Sequence, residues 1–131
     1  MRILIITLLA IVILQSCKKY PDGPVLSIRS REARITNTWV CEKALVGDVE
    51  STAFYTKYTF EYGADKSYSE YNGYNTIKGV WELSTNEDSI IVRYGANKIL
   101  HGFKIQKLKN NSMRLTEGPN GLGFDWYLKS N

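Results

Sequence analysis

A cysteine and a histidine are the side chains of this sequence that could form a catalytic pair. Cys41 could act as a nucleophile, and His101, the only histidine, as its base. Such a pair needs an Asp or Asn that orients the imidazole, and no pattern in the sequence marks one. A small buried thiol and a histidine at the rim of the fold account for both residues more simply. We therefore predict that the protein is not an enzyme.

Acidic residues are the next candidates for chemistry. A metal site needs several His, Cys or carboxylate ligands at defined spacing, and the Asp and Glu residues occur singly along the predicted strands, with no calcium-binding loop. Glycoside hydrolysis needs paired carboxylates, which could come from Glu42, Glu61, Glu70 or Glu82. These residues alternate with Lys and Thr along predicted strands, which is typical of solvent-facing positions. We predict no metal, no cofactor and no catalytic carboxylate.

The first 16 residues have the order of a secretory signal peptide. A positively charged start precedes an apolar run, residues 3–14, in which Thr7 is the one polar residue, and Ser16 supplies the small residue before a cleavage site. The run is too short for a membrane-spanning helix, which needs about 20 residues. Cys17 follows directly and resembles the lipobox cysteine of bacterial lipoproteins. The resemblance implies that the Cys17 thiol is acylated, that residues 1–16 are removed and that lipid anchors the chain to a membrane.

An acylated Cys17 cannot form a disulfide bond. Cys41 is then left as a lone thiol, so the domain must be held together by packing alone. The segment Lys18–Val25 has two prolines, a Pro-Asp-Gly turn and no apolar periodicity, which is typical of a tether. We assign residues 17–35 to the lipidated cysteine, this tether and a short helical turn with Ser30 as its N-cap.

The charge distribution argues against a nucleic-acid partner. The formal net charge is +4, and the basic residues are scattered among the acidic ones. A nucleic-acid-binding protein concentrates its basic residues on one face and interleaves them with stacking aromatic residues. The export signal argues against this class independently.

From Thr38 onward, short runs of β-forming residues alternate with turn residues. The predicted strands are Thr38–Val46, Ala53–Tyr62, Ser67–Tyr71, Ile77–Leu83, Ser89–Tyr94, Lys98–Lys109, Ser112–Glu117 and Leu122–Lys129. The alternation slips near Gln106, as a β-bulge would cause. Short connections favour an up-and-down order, and eight such strands can close into a barrel. We predict an all-β, eight-stranded antiparallel barrel over residues 36–131.

The interior of this barrel is predicted from the alternation. The inward residues are mostly large and apolar: Trp39, Leu45, Phe54, Tyr58, Phe60, Ile77, Trp81, Leu83, Ile91 or Val92, Phe103, Ile105, Met113, Leu115, Phe124, Trp126 and Leu128. A barrel of this size either fills with side chains or holds one small ligand. Because so many of these residues are large, we expect a small cavity or none.

The order of these features resembles the lipocalin-like lipoproteins of Bacteroidota. The matching features are the lipobox cysteine, the spacer Tyr20–Pro24, Trp39 near the start of the first strand, Gly79–Trp81 and the final aromatic strand. The resemblance implies a lipocalin-like fold and a location in the bacterial cell envelope. The residues after Cys17 are Lys18 and Lys19. They are neither the aspartate that marks inner-membrane retention nor the acidic cluster that is linked to surface export. The absence of both signals favours an outer-membrane anchor that faces the periplasm.

The sequence leaves two functions open. In the first, the barrel mouth binds a small apolar or amphipathic molecule, with Tyr58, Trp81 and Trp126 as its lining. In the second, a filled barrel contacts another envelope protein or a glycan through loops that include Tyr71 and Tyr74. Tyrosine mixed with Ser, Asn and Gly around these two residues is typical of binding surfaces, although tyrosines that merely cover the barrel mouth would give the same pattern.

Overall fold

The computed structural model describes residues 28–95, 99–118 and 123–131. The expected signal peptide, Cys17 and the tether Lys18–Val25 lie outside the described residues. Within the described part of the chain, no helix combines the length and the apolar character that crossing a membrane requires.

The described residues form short helices and antiparallel strands. In chain order they are α1 (Arg31–Ile35), β1 (Asn37–Val46), β2 (Val49–Glu50), α2 (Thr52–Tyr55), β3 (Thr59–Tyr62), β4 (Ser67–Tyr71), β5 (Thr76–Leu83), β6 (Ser89–Tyr94), β7 (Ile99–Leu108), β8 (Ser112–Glu117) and β9 (Phe124–Ser130). The bounds of β4, β6 and β8 are those predicted, because turn residues flank each run. The first residues predicted for β7 and β9, Lys98 and Leu122, lie outside the described residues.

Within the described residues, eight of the strands, β1 and β3 to β9, form a closed antiparallel barrel. Consecutive strands pair in up-and-down order, and β9 returns to pair with β1 from Ser130 opposite Trp39 to Phe124 opposite Val46. The remaining strand, β2, extends the sheet by a short hairpin on the end of β1. The predicted fold class is therefore confirmed.

The up-and-down order places alternate connections at opposite ends of the barrel. Strands β4, β6 and β8 all run towards the end that also carries α2. We call this end the mouth. The opposite end carries α1 and the connections 63–66, 84–88 and 109–111, and we call it the closed end.

Helix α1 fastens the closed end. Ser30 caps the helix as predicted, since its hydroxyl accepts a hydrogen bond from the Ala33 N–H at 3.1 Å. Ile35, which is fully buried, packs into the barrel core, and its carbonyl accepts the indole N–H of Trp39 at 2.9 Å. Arg34 donates to the Leu108 carbonyl of β7 at 2.6 Å.

Ion pairs connect the same helix to two connections of the closed end. Lys66 lies 2.6 Å from Glu32, and Arg31 pairs with Glu87. Each pair is partly exposed, so each contributes little stability by itself. Together with the packing of Ile35, they hold α1 across this end of the barrel.

The core lies inside the barrel and follows the predicted alternation over most strands. The buried apolar residues are Ile35, Trp39, Cys41, Ala44, Phe60, Tyr62, Tyr68, Trp81, Ile90, Val92, Phe103, Ile105, Leu108, Met113, Leu115, Trp126 and Leu128. Strand β6 therefore buries Val92 rather than Ile91, the two candidates left open by the sequence. The predicted bulge near Gln106 is confirmed, because the β7–β8 register shifts between Ile105 and Lys107.

A bulge in β1 overturns one predicted core position. The β1–β9 register shifts between Cys41 and Lys43, so the extra residue changes the face of everything that follows it. Ala44 is fully buried as a result, and Leu45 is only partly buried. The prediction that Leu45 points inward is wrong for this reason.

The predicted strand Ala53–Tyr62 is also corrected. Its first part forms the helical turn α2, and only Thr59–Tyr62 pairs as β3. The Thr52 hydroxyl accepts the Ala44 N–H at 3.0 Å and donates to Glu50 at 2.8 Å, which fixes the start of the turn. Phe54 is consequently 83% exposed rather than inward, and Tyr55 packs against the core instead.

Candidate functional site

The interior near the mouth contains carboxylates as well as aromatic rings. In β4, Glu70 shares the inward face with the buried Tyr68. In β8, Glu117 shares it with the buried Leu115. Both carboxylate side chains are partly buried. The prediction that Glu70 faces solvent is wrong, because the alternation of β4 turns it inward, whereas Glu42, Glu61 and Glu82 are exposed as expected.

Hydrogen bonds hold both carboxylates in place. The Tyr68 hydroxyl donates to Glu70 over 2.7 Å. Glu117 pairs with Nδ1 of His101, a partly buried residue that shares the inward face of β7 with Phe103. Burial raises the pKa of Glu70, and the negative charge of Glu117 raises it further, while the Tyr68 hydrogen bond and His101 act in the opposite direction. Glu70 is thus a desolvated carboxylate with a like charge nearby.

Four tyrosines surround Glu70. Burial raises the pKa of each, and the negative charge of Glu70 adds to the effect at Tyr58, Tyr62, Tyr68 and Tyr94. At Tyr68, the neighbouring Tyr62 raises the pKa more than Glu70 does. These residues come from three strands and from the segment before β3, and Tyr68 is the one whose hydroxyl forms a hydrogen bond with Glu70.

Two buried polar atoms near this region have no hydrogen-bond partner among the described residues. One is the hydroxyl of Tyr62, a residue that is 1% exposed, and the other is the indole nitrogen of Trp126, a residue that is 4% exposed. Native proteins pair nearly all such atoms, so each exception requires an explanation. The Tyr62 hydroxyl lies within the field of both Glu70 and Glu117, since both carboxylates act on its pKa.

Aromatic rings from α2, from the segment before β3 and from β9 form a cluster at the mouth. Trp126 stacks on Phe124, with ring centres 5.2 Å apart and planes inclined by 8°. Tyr55 meets Trp126 edge to face at 5.2 Å, and Tyr58 lies 5.5 Å from it. Tyr55, Tyr58 and Phe124 are only partly buried, so apolar surface remains accessible on this side.

The structure brings some of the predicted binding residues together and separates others. Tyr58 and Trp126 are in contact at the mouth. Trp81 belongs to a different cluster: its ring packs on Tyr62 at 5.6 Å, and its N–H donates to the Gly63 carbonyl of the closed end at 2.9 Å. The ammonium of Lys66 lies 4.4 Å from the centre of the same indole, so this side chain is already surrounded.

The two predicted rim tyrosines lie at the turn between β4 and β5: Tyr71 is the last residue of β4, and Tyr74 belongs to the connection. Tyr71 is 40% exposed, and its hydroxyl donates to the Gly73 carbonyl at 2.8 Å. Tyr74 is 91% exposed. Neither ring covers the mouth interior in the way that Tyr58 does, so they form a separate surface on the rim.

Cys41 and His101 do not form a pair. Cys41 is a buried free thiol on β1, opposite Leu128 of β9, and burial raises the pKa of its thiol. His101 faces inward from β7 and pairs with Glu117 instead. A raised pKa keeps the thiol protonated and unreactive. Among the described residues, no group of three or more His, Cys, Asp or Glu side chains is arranged to hold a metal ion.

Of these three inward polar residues, Glu70 and His101 were considered from the sequence and set aside, and Glu117 was not predicted as a candidate. The signal was available, because the same alternation that places Met113 and Leu115 inward also places Glu117 inward. For polar residues near the end of an inward face, residue type predicts exposure to solvent, whereas position in the strand predicts that the side chain points inward.

A closed, eight-stranded up-and-down barrel with a short helix at one end defines the lipocalin-like class of fold. Among solved structures, the chain is similar to a lipocalin-like protein from Bacteroides uniformis ATCC 8492. The two are 14% identical with a TM-score of 0.60, over 75% of this chain and 99% of that one. The resemblance predicted from the sequence is therefore confirmed for the fold. No protein-family model matches the chain, and no curated protein does.

Proposed function

We propose that this protein is a membrane-anchored lipoprotein whose lipocalin-like barrel binds a small amphipathic molecule in its mouth. The observation that carries this proposal is the composition of the mouth interior. Rings from α2, from the segment before β3 and from β9 lie there together with Glu70, His101 and Glu117. Ligand sites typically combine an apolar lining with a few polar groups that orient the ligand.

Partial burial supports the same proposal. Tyr58, Glu70 and Tyr94 each retain accessible surface while pointing towards the interior. A ligand that covers this surface removes apolar area from water, which stabilises the complex by about 25 cal/mol for each Å². It can also supply partners to the Tyr62 hydroxyl and to the indole nitrogen of Trp126, which have none among the described residues.

The anchor is the second part of the proposal. It rests on the order of the first 17 residues, in which an apolar run and a small residue precede Cys17. The lipid on Cys17 would hold the domain to a membrane of the bacterial envelope, with the outer membrane facing the periplasm as the expected location. No catalysis and no nucleic-acid partner form part of this proposal. The buried thiol of Cys41 and the pairing of His101 with Glu117 support that reading.

The test is to identify what the native protein carries. We would purify the full chain from its own membranes in mild detergent, extract small molecules with organic solvent and identify them by mass spectrometry. The Tyr58→Ser variant should lose the extracted molecule because it removes a ring from the mouth. Phe54→Ser is the matched control, since Phe54 is 83% exposed. An extract that is the same for all three proteins would refute binding in the mouth.

Exposed aromatic residues at the rim favour a second candidate function. Tyr74 and Tyr71 are 91% and 40% exposed, and large exposed aromatic side chains that lie together can mark an interaction surface. They could contact another envelope protein or a glycan. In that case a partner would co-purify with the native protein and with Tyr58→Ser, and would be lost when Tyr71 and Tyr74 are both replaced by Ser. Retention of the partner by the double variant would count against this surface.

A further inference from the structure

The mouth interior carries an excess of negative charge. Two carboxylates, Glu70 and Glu117, face inward and raise the pKa of the same tyrosine hydroxyls. The charged groups that act on Glu70 are Glu117, which opposes its ionisation, and His101, which favours it. His101 is already engaged with Glu117. A ligand that enters this region therefore meets a carboxylate whose charge is not fully balanced.

The hydroxyl of Tyr62 is an independent sign that a ligand belongs here. Tyr62 is 1% exposed, its ring is held between Tyr68 at 5.3 Å and Trp81 at 5.6 Å, and its hydroxyl has no partner among the described residues. A phenolic oxygen can both donate and accept a hydrogen bond. The Tyr62 ring lies beside that of Tyr68, whose own hydroxyl donates to Glu70, so Tyr62 is next to the residue that holds this carboxylate.

We infer that the ligand of the mouth is an amphipathic amine, whose protonated nitrogen is bound by Glu70 and Glu117 and whose apolar body packs against Tyr58 and Trp126. This inference rests on the proposed function and names the class of its ligand. An ammonium group has up to three donors, which match two carboxylates and the Tyr62 hydroxyl. Its charge offsets the repulsion between the carboxylates, and the face of a tyrosine ring attracts a cation as well.

Other classes of amphipathic ligand fit less well. A carboxylic acid would add a third negative charge beside Glu70 and Glu117, and like charges in a partly buried site repel each other strongly. An alcohol can form the hydrogen bonds but leaves the charge unbalanced. A hydrocarbon would displace water from both carboxylates and from the Tyr62 hydroxyl without replacing any hydrogen bond.

Three probes that share one aromatic body separate these classes. We would titrate the full chain in detergent at pH 7 with tryptamine, tryptophol and indole-3-propionate and follow binding by calorimetry. Tryptamine should bind about tenfold or more tightly than tryptophol, because a charge-assisted hydrogen bond is stronger than a neutral one. Indole-3-propionate should bind most weakly. Equal affinities, or tightest binding of the propionate, would overturn the amine inference while leaving binding in the mouth intact.

Binding of none of the probes would also overturn the amine inference. Whether the mouth binds anything is decided separately by the extraction experiment with Tyr58→Ser, so the two failures are distinguishable.

Variants of single carboxylates test whether Glu70 and Glu117 bind the amine. Glu70→Gln keeps the shape of the side chain and should weaken tryptamine binding about tenfold while leaving tryptophol binding nearly unchanged. Glu61→Gln is the control, because Glu61 is exposed on the neighbouring strand β3 and the change in net charge is identical. Equal losses in both variants would mean general attraction to an acidic surface and would overturn the inference. Glu117→Gln should act as Glu70→Gln does, and circular dichroism verifies that each variant is folded.

Discussion

The three tryptophans of this chain provide a direct measurement of what an unpaired indole costs. Trp39 and Trp126 are both buried, 0% and 4% exposed, but they differ in one respect. The N–H of Trp39 donates to the Ile35 carbonyl at 2.9 Å, whereas that of Trp126 has no partner among the described residues. Replacing either residue by Phe removes a similar area of ring surface. In Trp39→Phe the lost N–H was hydrogen-bonded, and in Trp126→Phe it was not hydrogen-bonded to any described residue.

The expected magnitude follows from this difference. A net hydrogen bond contributes about 0.5–1.5 kcal/mol, and a buried polar group without a partner costs about 1–3 kcal/mol. Trp39→Phe loses the bond to Ile35, while Trp126→Phe relieves an unpaired group. Trp39→Phe should therefore lower the free energy of unfolding by about 2 kcal/mol more than Trp126→Phe does. Trp81→Phe should fall between them, because the Gly63 carbonyl that it releases also accepts the Lys66 N–H at 3.0 Å.

The measurement is urea unfolding followed by far-ultraviolet circular dichroism, since fluorescence changes when a tryptophan is removed. The slope of unfolding free energy against urea should be the same in all variants, so that midpoints report stability. If Trp126→Phe proves as destabilising as Trp39→Phe, the indole of Trp126 is satisfied in the folded protein. The argument that this nitrogen is left for a ligand would then be wrong.

Three further changes test other parts of the structure. Glu70→Gln should raise stability at pH 7. The pKa of Glu70 is higher in the folded than in the unfolded state, so the unsubstituted protein loses stability as pH rises from the unfolded-state pKa to the folded-state pKa. The free energy of unfolding at pH 5 and pH 7 should therefore differ less in the variant, and an unchanged difference would contradict the burial of this carboxylate. Gly79→Ala should destabilise the protein by about 1–3 kcal/mol, because the added Cβ would lie 2.2 Å from the carbonyl oxygen of Arg93. Gly102→Ala is the control: its Cβ meets nothing within 4 Å, so thermal unfolding of this variant should be nearly unchanged. Cys17→Ala should shift the protein from the detergent phase to the aqueous phase with its circular dichroism spectrum retained, and an unfolded product would show that anchor and barrel are not independent.

The barrel could be predicted from the sequence because alternation and turn residues act locally. Runs such as Ser89–Tyr94 and Ser112–Glu117 are bounded by Asn, Asp and Gly, and each buries alternate residues. The bulge near Gln106 could also be predicted, because the apolar residues before and after it cannot all lie on one face of a regular strand.

The exceptions arise from contacts that the local pattern does not contain. Ala44 replaces Leu45 in the core because β1 must stay paired with β9 across an extra residue. The helical turn α2 replaces a strand because Thr52 bonds to the backbone of β1 and to Glu50. The first depends on a pairing between distant parts of the chain, and the second on side-chain hydrogen bonds that an alternating pattern does not encode.

The candidate site was missed in part for a different reason. Residue type suggested that Glu70 belongs in water, and its position on the inward face suggested the opposite. Position proved decisive, because the partner of this carboxylate, the hydroxyl of Tyr68, is supplied by the same strand. Tyr58 and Trp126 were found because aromatic residues on an inward face raise no such conflict.

Helix α1 also sets the direction in which the barrel opens. The described chain enters α1 at the closed end, after Arg29 and Ser30, so its first described residues lie at the end opposite the mouth. If Cys17 anchors the domain as we propose, the anchor is attached at the closed end. A ligand can then enter the mouth from the surrounding compartment without passing the anchored end.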